Sequence, residues 1–287
     1  MRTSAAEVPI GPVSVMAMTE VDVVEHVAES WRRGVGGSIV TVNVDILRAA
    51  VRDAAVAALI AEAEIVVSDG KPIVWMAAVS GHPVPERVTG ASLVSTLAEA
   101  AAAAGRSVFL IGGDPGVPEA AGRALADRFP GLRVAGADSP PFGFEKDERQ
   151  VTDLAARVVR AQPDLVLVGL GFPKQEQLIA KLRPLLPQAW MLGCGAGIPM
   201  AAGQFQRAPE FVQRVGAEWL HRLLLEPRRL ARRYLVHDLP FAVALLATAL
   251  GGRVTGRPLS SPLAGAPVVT PHAGAGAAAQ TDHSAAA

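Results

Sequence analysis

The sequence has very little of what several classes of protein need. Of its 287 residues only Cys194 is a cysteine, so no internal disulfide can form and an oxidising compartment gains no support. A membrane-spanning helix needs roughly 20 apolar residues. The longest apolar run, Leu239–Leu250, is shorter than that and includes Pro240. These absences exclude a disulfide-rich scaffold and predict that this run lies on a membrane surface at most.

Motifs for several common chemistries are missing as well. There is no Gly-x-Ser-x-Gly elbow, no Gly-x4-Gly-Lys-Ser/Thr loop, and no Asp-x-Asp pair of the kind that holds a divalent ion on a sugar nucleotide. The six histidines are scattered, so we predict no metal site and no cofactor. Basic and acidic residues balance at 27 each, which gives no support for a nucleic-acid partner.

What is present is an alternation of short apolar runs with Ala-, Leu- and Arg-rich stretches of helix length. This alternation is typical of βαβ units and predicts an α/β protein with a Rossmann-like parallel sheet flanked by helices. The predicted strands are Ser38–Val44, Glu64–Ser68, Ser107–Ile111, Leu132–Ala135, Leu165–Gly169 and Ala189–Leu192. The predicted helices are Ile46–Ala63, Gly90–Ala104, Val117–Phe129, Asp147–Ala161 and Pro173–Arg183. Asp45 and Asp147 are the expected N-caps, and Pro118 and Pro173 suit first helical turns.

Composition divides the chain into four parts. Residues 1–18 are expected to be a loose N-terminal extension, and residues 19–204 the α/β catalytic domain. Residues 205–252 are expected to form a basic helical appendage. Residues 253–287 are rich in Gly, Pro, Ala, Ser and Thr and too poor in large apolar groups to offset the entropy of ordering, which predicts a disordered tail.

Most of the predicted strands end in a polar or glycine-rich turn. In a doubly wound sheet the carboxyl ends of the strands lie on one rim, where ligands bind. Thr41 and Asn43 fall on the same side of their strand and suit sugar or ribose hydroxyls; taken alone, however, the segment favours an Asx turn that caps the next helix. Asp69 follows a buried strand and can serve as a general base, with Gly70 allowing the turn; an ordinary Asp-Gly turn is the alternative.

Two further turns suggest a site for phosphate. Gly112 and Gly113 end a strand and precede a helix whose first amides can hold an anion, although the full dinucleotide fingerprint is missing. Gly171 ends the most apolar strand, and the helix after it begins with Lys174, Gln175 and Glu176. These side chains at a helix N-terminus suit phosphate or sugar, and a cation there is not required by helix propensity.

The segment from Phe205 to His237 is strongly basic, with seven Arg against three Glu. Arginine binds phosphate in a bidentate manner, and the interleaved Leu, Trp and Tyr make the segment amphipathic. A basic amphipathic helix is typical of membrane-surface or acidic-partner binding, whereas a solvated face of a packing helix is the structural alternative. The apolar run that follows favours the interface.

Taken together, these segments stand in a distinctive order: Thr41-Val42-Asn43, Ser68-Asp69-Gly70, Glu86–Gly90, Gly112-Gly113, Val168–Glu176, Arg207-Ala208-Pro209 and Glu218–Arg229. The series resembles the WecG/TagA/CpsF family, glycosyltransferase family 26, over roughly Pro12 to Tyr234. Its most specific parts are Gly-x-Pro-Lys-Gln-Glu and Glu-Trp-x-x-Arg-Leu.

The resemblance implies an inverting, metal-independent transferase that uses a UDP-sugar donor and a polyprenyl-pyrophosphate-linked acceptor. It also implies a cytoplasmic enzyme that binds peripherally to the inner face of the plasma membrane. The resemblance is compatible with a homo-oligomer. By resemblance Asp69 is the catalytic base, and Thr41, Asn43, Arg87 and Gln175 line the sugar site. The residues implied to bind the lipid pyrophosphate are Arg207, Arg222, Arg229 and Arg232 or Arg233.

The chain departs from the family pattern at one loop. Family members commonly carry Phe-Asp or a similar acidic pair after the last glycine cluster, whereas this chain has Gly197-Ile198-Pro199-Met200. The donor sugar is therefore left open. Two other hypotheses remain at this point: a nucleotide-binding protein without transfer activity, and a membrane-peripheral scaffold whose working part is the Arg/Leu segment.

Overall fold

The computed structural model describes residues 5–204, 223 and 238–255, the last eight of these by backbone alone. Its strands, in chain order, are β1 Glu7–Ile10, β2 Val13–Met16, β3 Gly37–Val42, β4 Ile65–Ser68, β5 Ser107–Ile111, β6 Arg133–Asp138, β7 Leu165–Val168 and β8 Trp190–Gly193. Strands β3 to β8 form a six-stranded parallel sheet in the order β4-β3-β8-β7-β5-β6. The predicted parallel α/β sheet is confirmed.

Helices connect these strands. They are α1 Glu20–Arg32, α2 Val44–Arg52, α3 Ala54–Ala61, α4 Lys71–Val79, α5 Gly90–Ala103, α6 Val117–Arg128, α7 Glu148–Ala161, α8 Lys174–Leu182, α9 Gly197–Ala201 and α10 Leu239–Thr255. A short 3-10 turn, Phe144–Lys146, precedes α7. Asp147 caps α7 as expected, since its side chain accepts from the Arg149 N–H at 3.0 Å.

Apolar layers cover both faces of the sheet. On the front face, Leu165 and Leu167 pack with α1, α5, α6 and α9. On the back face, Val166 and Val168 pack with α7 and α8, while the β3–β4 side of that face packs with α2, α3, α4 and α10. A strand buried on both faces must be apolar along its whole length, which explains the unbroken apolar runs in the sequence.

Neighbouring strands lead to opposite faces of the sheet at several points of the carboxyl rim. Strands β5 and β7 are neighbours, yet β5 leads to α6 on the front and β7 leads to α8 on the back. Strands β8 and β3 are also neighbours, and they lead to α9 on the front and α2 on the back. Adjacent connections that leave in opposite directions open a crevice between them, where ligands of such sheets bind.

The expectation of a loose N-terminal extension is wrong. Strands β1 and β2 pair as an antiparallel hairpin, and Gly11 makes the turn at φ +63°. Val8, Ile10, Val13 and Val15 are buried in the same cluster as α2, α3 and α4. The hairpin therefore completes the back layer of the fold.

The long helix expected from Ile46 to Ala63 is two helices. Asp53 between them has extended backbone, and its side chain caps α3 by accepting from the Ala55 N–H at 2.8 Å. The expected N-cap Asp45 is also wrong. Asn43 caps α2 through an Ile46 N–H bond of 3.0 Å, and Asp45 instead pairs with Arg48.

Other expected positions differ slightly. Pro118 lies in the first turn of α6, as expected, whereas Pro173 stands at the N-cap of α8, one residue before that helix begins. Helix α10 continues to Thr255, past the expected boundary at residue 252. In the ranges that the structure describes, no helix combines the length and apolarity needed to cross a bilayer.

Candidate active site

Glycines let the loops at the carboxyl rim approach one another backbone to backbone. A Cβ on Gly112 would lie 2.5 Å from the carbonyl oxygen of Gly169, and one on Gly169 would lie 2.7 Å from that of Gly195. Those distances leave no room for a side chain. The ends of β5, β7 and β8 therefore form one surface of closely packed main chain, which we call the glycine end; it includes Gly112, Gly113, Gly169, Gly171 and Gly195.

The other half of the rim carries side chains instead. Strands β3 and β4 pair through Val42 and Ser68, and the ladder continues because the Asp69 N–H donates to the Val42 carbonyl at 2.7 Å. Asp69 therefore lies next to Asn43 across the two strand ends, half-buried. Gly70 follows at φ +114°, a backbone conformation that suits glycine, and α4 begins directly after it.

The loop that carries Arg87 is fixed to the same strand end. The Val88 N–H donates to the Ser68 carbonyl at 2.9 Å, and the Ser68 hydroxyl donates to the Glu86 carbonyl at 3.2 Å. Arg87 lies between these two bonds and is half-buried. The structure therefore brings Arg87 and Asp69, 18 positions apart in sequence, to one place.

Thr41 joins this half of the rim to β8. Its side chain is 6% exposed, and its hydroxyl oxygen would be 3.3 Å from a Cβ on Gly90, which itself lies against Cys194. A glycine at residue 90 thus lets helix α5 begin close to the sheet. We call Thr41, Asn43, Asp69 and Arg87 together the side-chain end of the rim.

At the start of α8, Lys174 lies at the glycine end. Its ammonium forms an ion pair with Glu145 at 2.7 Å and stands 4.9 Å from the centre of the Phe142 ring. The hydrogen bond from Lys174 holds the pKa of Glu145 below its usual value. Phe142 itself is 99% exposed, on the loop after β6.

Gln175 and Glu176 turn inward from the same helix. The Gln175 side-chain amide donates to Glu176 Oε1 at 2.8 Å, and its oxygen accepts from the Gly195 N–H at 3.1 Å. Both side chains lie against Gly193, where a Cβ would come within 2.5 Å of Gln175 and 2.7 Å of Glu176. The pair therefore ties the start of α8 to the loop after β8.

Burial changes the acidity of two groups here. Glu176 is 3% exposed, and burial raises the pKa of its carboxyl to about 7. Burial also raises the pKa of the Cys194 thiol to about 12, so that thiol is neutral and packs as an apolar group. Within the described ranges, no group of three or more His, Cys, Asp or Glu side chains could hold a metal ion.

The predicted site residues thus divide between two halves of one rim. Thr41, Asn43, Gly70 and Arg87 accompany Asp69 at the side-chain end; Gly112, Gly113, Gly171 and Lys174 lie at the glycine end, with Gln175 and Glu176 beneath the β8 loop. The predicted arginines at 207, 222, 229, 232 and 233 fall outside the described residues.

Sequence reasoning missed Phe142 and Glu145. The predicted strand Leu132–Ala135 stops short of the observed β6, which runs to Asp138 and delivers the next loop to the rim. The Ser139 hydroxyl ties that loop to the Gly113 carbonyl at 2.7 Å. The signal that could have found these residues is the turn sequence Ser139-Pro140-Pro141-Phe142-Gly143, which follows the strand directly.

The chain is similar in sequence to known proteins. The sequence model of the glycosyl transferase WecG/TagA/CpsF family matches residues 8–255. An N-acetylglucosaminyldiphosphoundecaprenol N-acetyl-β-D-mannosaminyltransferase of Bacillus spizizenii is 34% identical over 69% of this chain and 74% of its own length. A protein of the same description from Staphylococcus aureus is 29% identical over 80% of this chain and 89% of its own.

Proposed function

Because the chain belongs to the glycosyl transferase WecG/TagA/CpsF family, we propose that it transfers N-acetylmannosamine from UDP to an N-acetylglucosamine carried on a polyprenyl diphosphate. The acceptor and the sugar are those in the names of its relatives. The coarser statement, that the chain is a glycosyltransferase, follows from the family alone.

The observation that carries the proposal is the position of Asp69. A half-buried carboxylate at the end of a buried strand, beside Asn43 and Arg87, suits a general base for an alcohol. Asp69 would take the proton of the acceptor hydroxyl as its oxygen bonds to the anomeric carbon. The bond from that carbon to UDP breaks in the same step, so a single displacement inverts the configuration.

The departing diphosphate needs positive charge, and the glycine end offers it without a metal ion. Main-chain N–H groups at the start of α6 and α8 favour an anion, and Lys174, which is paired with Glu145, places an ammonium group at the start of α8. Preorganised donors of this kind stabilise charge that develops in the transition state. We therefore place the diphosphate of the donor at the glycine end and the acceptor hydroxyl at the side-chain end.

We assign the binding of the lipid-linked acceptor to the basic segment that precedes α10 in the sequence. Asp238, just before α10, forms an ion pair of 3.3 Å with Arg48 of α2, the helix that begins next to Asn43. Ala242 and Leu245 are buried where α10 packs on the back layer. This anchorage supports our proposal that Arg207, Arg222, Arg229, Arg232 and Arg233 hold the acceptor diphosphate while the enzyme lies on the inner membrane surface.

The test is an assay of transfer with purified full-length chain. We expect UDP release from UDP-N-acetylmannosamine only when N-acetylglucosaminyl-diphosphoundecaprenol is present, undiminished by EDTA, and a product of inverted anomeric configuration by NMR. UDP-glucose and UDP-N-acetylmannosaminuronate belong in the same panel, because Pro199 in the atypical loop lies 3.9 Å from the Cβ position of Gly113. If only another UDP-sugar supports transfer, the proposed donor sugar is wrong. If EDTA abolishes the activity and a metal ion restores it, the metal-free mechanism is wrong.

A further inference from the structure

Glu176 is a carboxyl group with an unusual position. It is 3% exposed, it lies on the back face beneath Gly193, and only one of its oxygens has a hydrogen-bond donor among the described residues. That donor is the side-chain amide of Gln175, which bonds to Oε1 at 2.8 Å. The second oxygen, Oε2, is buried without a hydrogen-bond partner there.

Gln175 connects Glu176 to the carboxyl rim. The Gln175 oxygen accepts from the Gly195 N–H at 3.1 Å, so the amide is held at one end by Glu176 and at the other by the loop after β8. The amide cannot rotate without breaking both bonds. Glu176 therefore sets the orientation of Gln175 and, through it, the position of Gly195 at the glycine end.

A cleft reaches Glu176 from behind. It has a volume of about 190 Å3, opens between α3 and α8, and is lined by Ser38, Glu62, Glu64 and Arg183 as well as Glu176. A space of this size holds several water molecules, since one water occupies roughly 30 Å3. Glu176 thus lies between the loop after β8 and a cleft on the opposite side, and its Oε2 is itself buried.

The charges around Glu176 do not stabilise its ionised form. Arg183 on the same helix is bound to Glu64 at 2.8 Å, and Glu62 adds a like charge from the end of α3. From β8 the nearest titratable group is the neutral Cys194 thiol. Burial thus dominates, and the pKa of Glu176 is raised to about 7, so the group titrates within the physiological range.

We propose that Glu176 is a proton-linked positioning residue that takes up a proton when a diphosphate binds at the glycine end. The inference rests on the proposed function, which places the donor diphosphate next to the β8 loop. An ionised carboxylate beneath that loop repels the diphosphate, whereas the neutral acid does not. Its Oε1 accepts the Gln175 bond in either state, so the loop geometry is kept while the charge is removed.

The first test needs no ligand. A carboxyl whose pKa is raised in the folded state above an unfolded value of about 4.3 lowers stability as pH rises between the two values. Relative to Glu176→Gln, the unfolding constant of the wild type should increase about tenfold per pH unit from about pH 5 to about pH 7 and then level off. Glu99→Gln, on the exposed side of α5, is the matched control and should show no such trend.

The second test measures proton uptake by calorimetry with UDP in buffers of different ionisation enthalpy. We expect uptake near pH 7 by the wild type and less by Glu176→Gln, and the fall in UDP affinity from pH 6 to pH 8 should be about tenfold larger in the wild type than in that variant. Protonation of UDP itself contributes equally to both proteins. Equal uptake in both proteins would refute the proposal even if transfer activity is established.

The two tests also separate this proposal from the proposed function. If UDP does not bind, the proposed function fails at its donor, and the linkage to a diphosphate fails with it. If UDP binds and transfer occurs but the stability difference is flat with pH, Glu176 is ionised in the folded state as it is in the unfolded chain, and the inference alone is wrong. Loss of fold in Glu176→Gln would show that the group acts as a structural carboxylate, which also contradicts the proposal.

Discussion

The two halves of the carboxyl rim use the same sheet in opposite ways. At the side-chain end, β3 and β4 present Thr41, Asn43 and Asp69. At the glycine end, β5, β7 and β8 present main chain, and Gly112 and Gly169 approach so closely that neither could carry a side chain. The difference separates tasks: a side chain can exchange a proton, whereas fixed N–H groups can only hold charge.

The largest effect should come from the side-chain end. Asp69→Asn would remove the proposed base and keep the size of the residue, so we expect transfer to fall about a thousandfold while UDP affinity changes little. Initial rates and UDP titration measure the two quantities. Asp127→Asn, exposed on α6, is the control and should retain full activity. If Asp69→Asn keeps its rate, the division of tasks is wrong.

The next effect tests the closeness of the glycine end. Gly112→Ala places a methyl group 2.5 Å from the Gly169 carbonyl at φ +113°, and we expect a loss of about 3 kcal/mol in unfolding free energy together with loss of UDP binding. Gly105→Ala has a positive φ but no atom within 4 Å, and should cost about 1 kcal/mol from backbone strain alone. Equal losses in denaturant unfolding would show that strain, and not contact, requires the glycine.

A smaller effect should follow from removing the cation at the glycine end. Lys174→Met should raise KM for the donor about tenfold because the ammonium binds the diphosphate, and kcat should fall as well because the same group stabilises charge on the departing UDP. The pKa of Glu145 should rise toward its usual value in the same variant, because Lys174 is its main hydrogen-bond partner. Lys181→Met, later on α8 and paired with Glu148, is the control. An unchanged KM would leave the main-chain N–H groups as the only anion site there.

The smallest effect separates two roles of Asn43. Its side chain caps α2, so Asn43→Ala should cost about 1 kcal/mol of stability and Asn43→Ser only a few tenths, because serine caps nearly as well. If Asn43 also binds sugar, the serine variant should lose activity despite its normal stability. Thermal unfolding and transfer rates measured on the same samples decide this, and full activity of Asn43→Ser would reduce the residue to a cap.

The sheet could be predicted because its signal is local. The runs Val108–Ile111 and Leu165–Gly169 are apolar throughout, as a strand covered on both faces requires. Helices α1 and α4 were not predicted. The break at Asp53 was also missed, since an apolar Ala-rich stretch continues on both sides of it and only the cap geometry separates α2 from α3.

The sequence predicts which residues lie near the site but not how each side chain is oriented. The sequence indicates that polar turns share a rim; it does not indicate which side chains turn inward. Glu176 carries a charge and follows Lys174, and sequence alone gives no reason to bury it. Its burial depends on Gly193 of strand β8, which has no side chain and leaves the space that Gln175 and Glu176 fill. Such a pairing depends on tertiary packing.

The N-terminal hairpin limits how this protein can be shortened or tagged. Its four buried valine and isoleucine side chains cover the apolar surface of α2, α3 and α4. A shortened chain that starts at Thr19 would uncover that surface, and bare apolar patches of this kind drive self-association. An affinity tag or fluorescent fusion therefore belongs upstream of Glu7, where it leaves the hairpin whole, and a protease that cuts at Gly11 should yield a protein prone to aggregate.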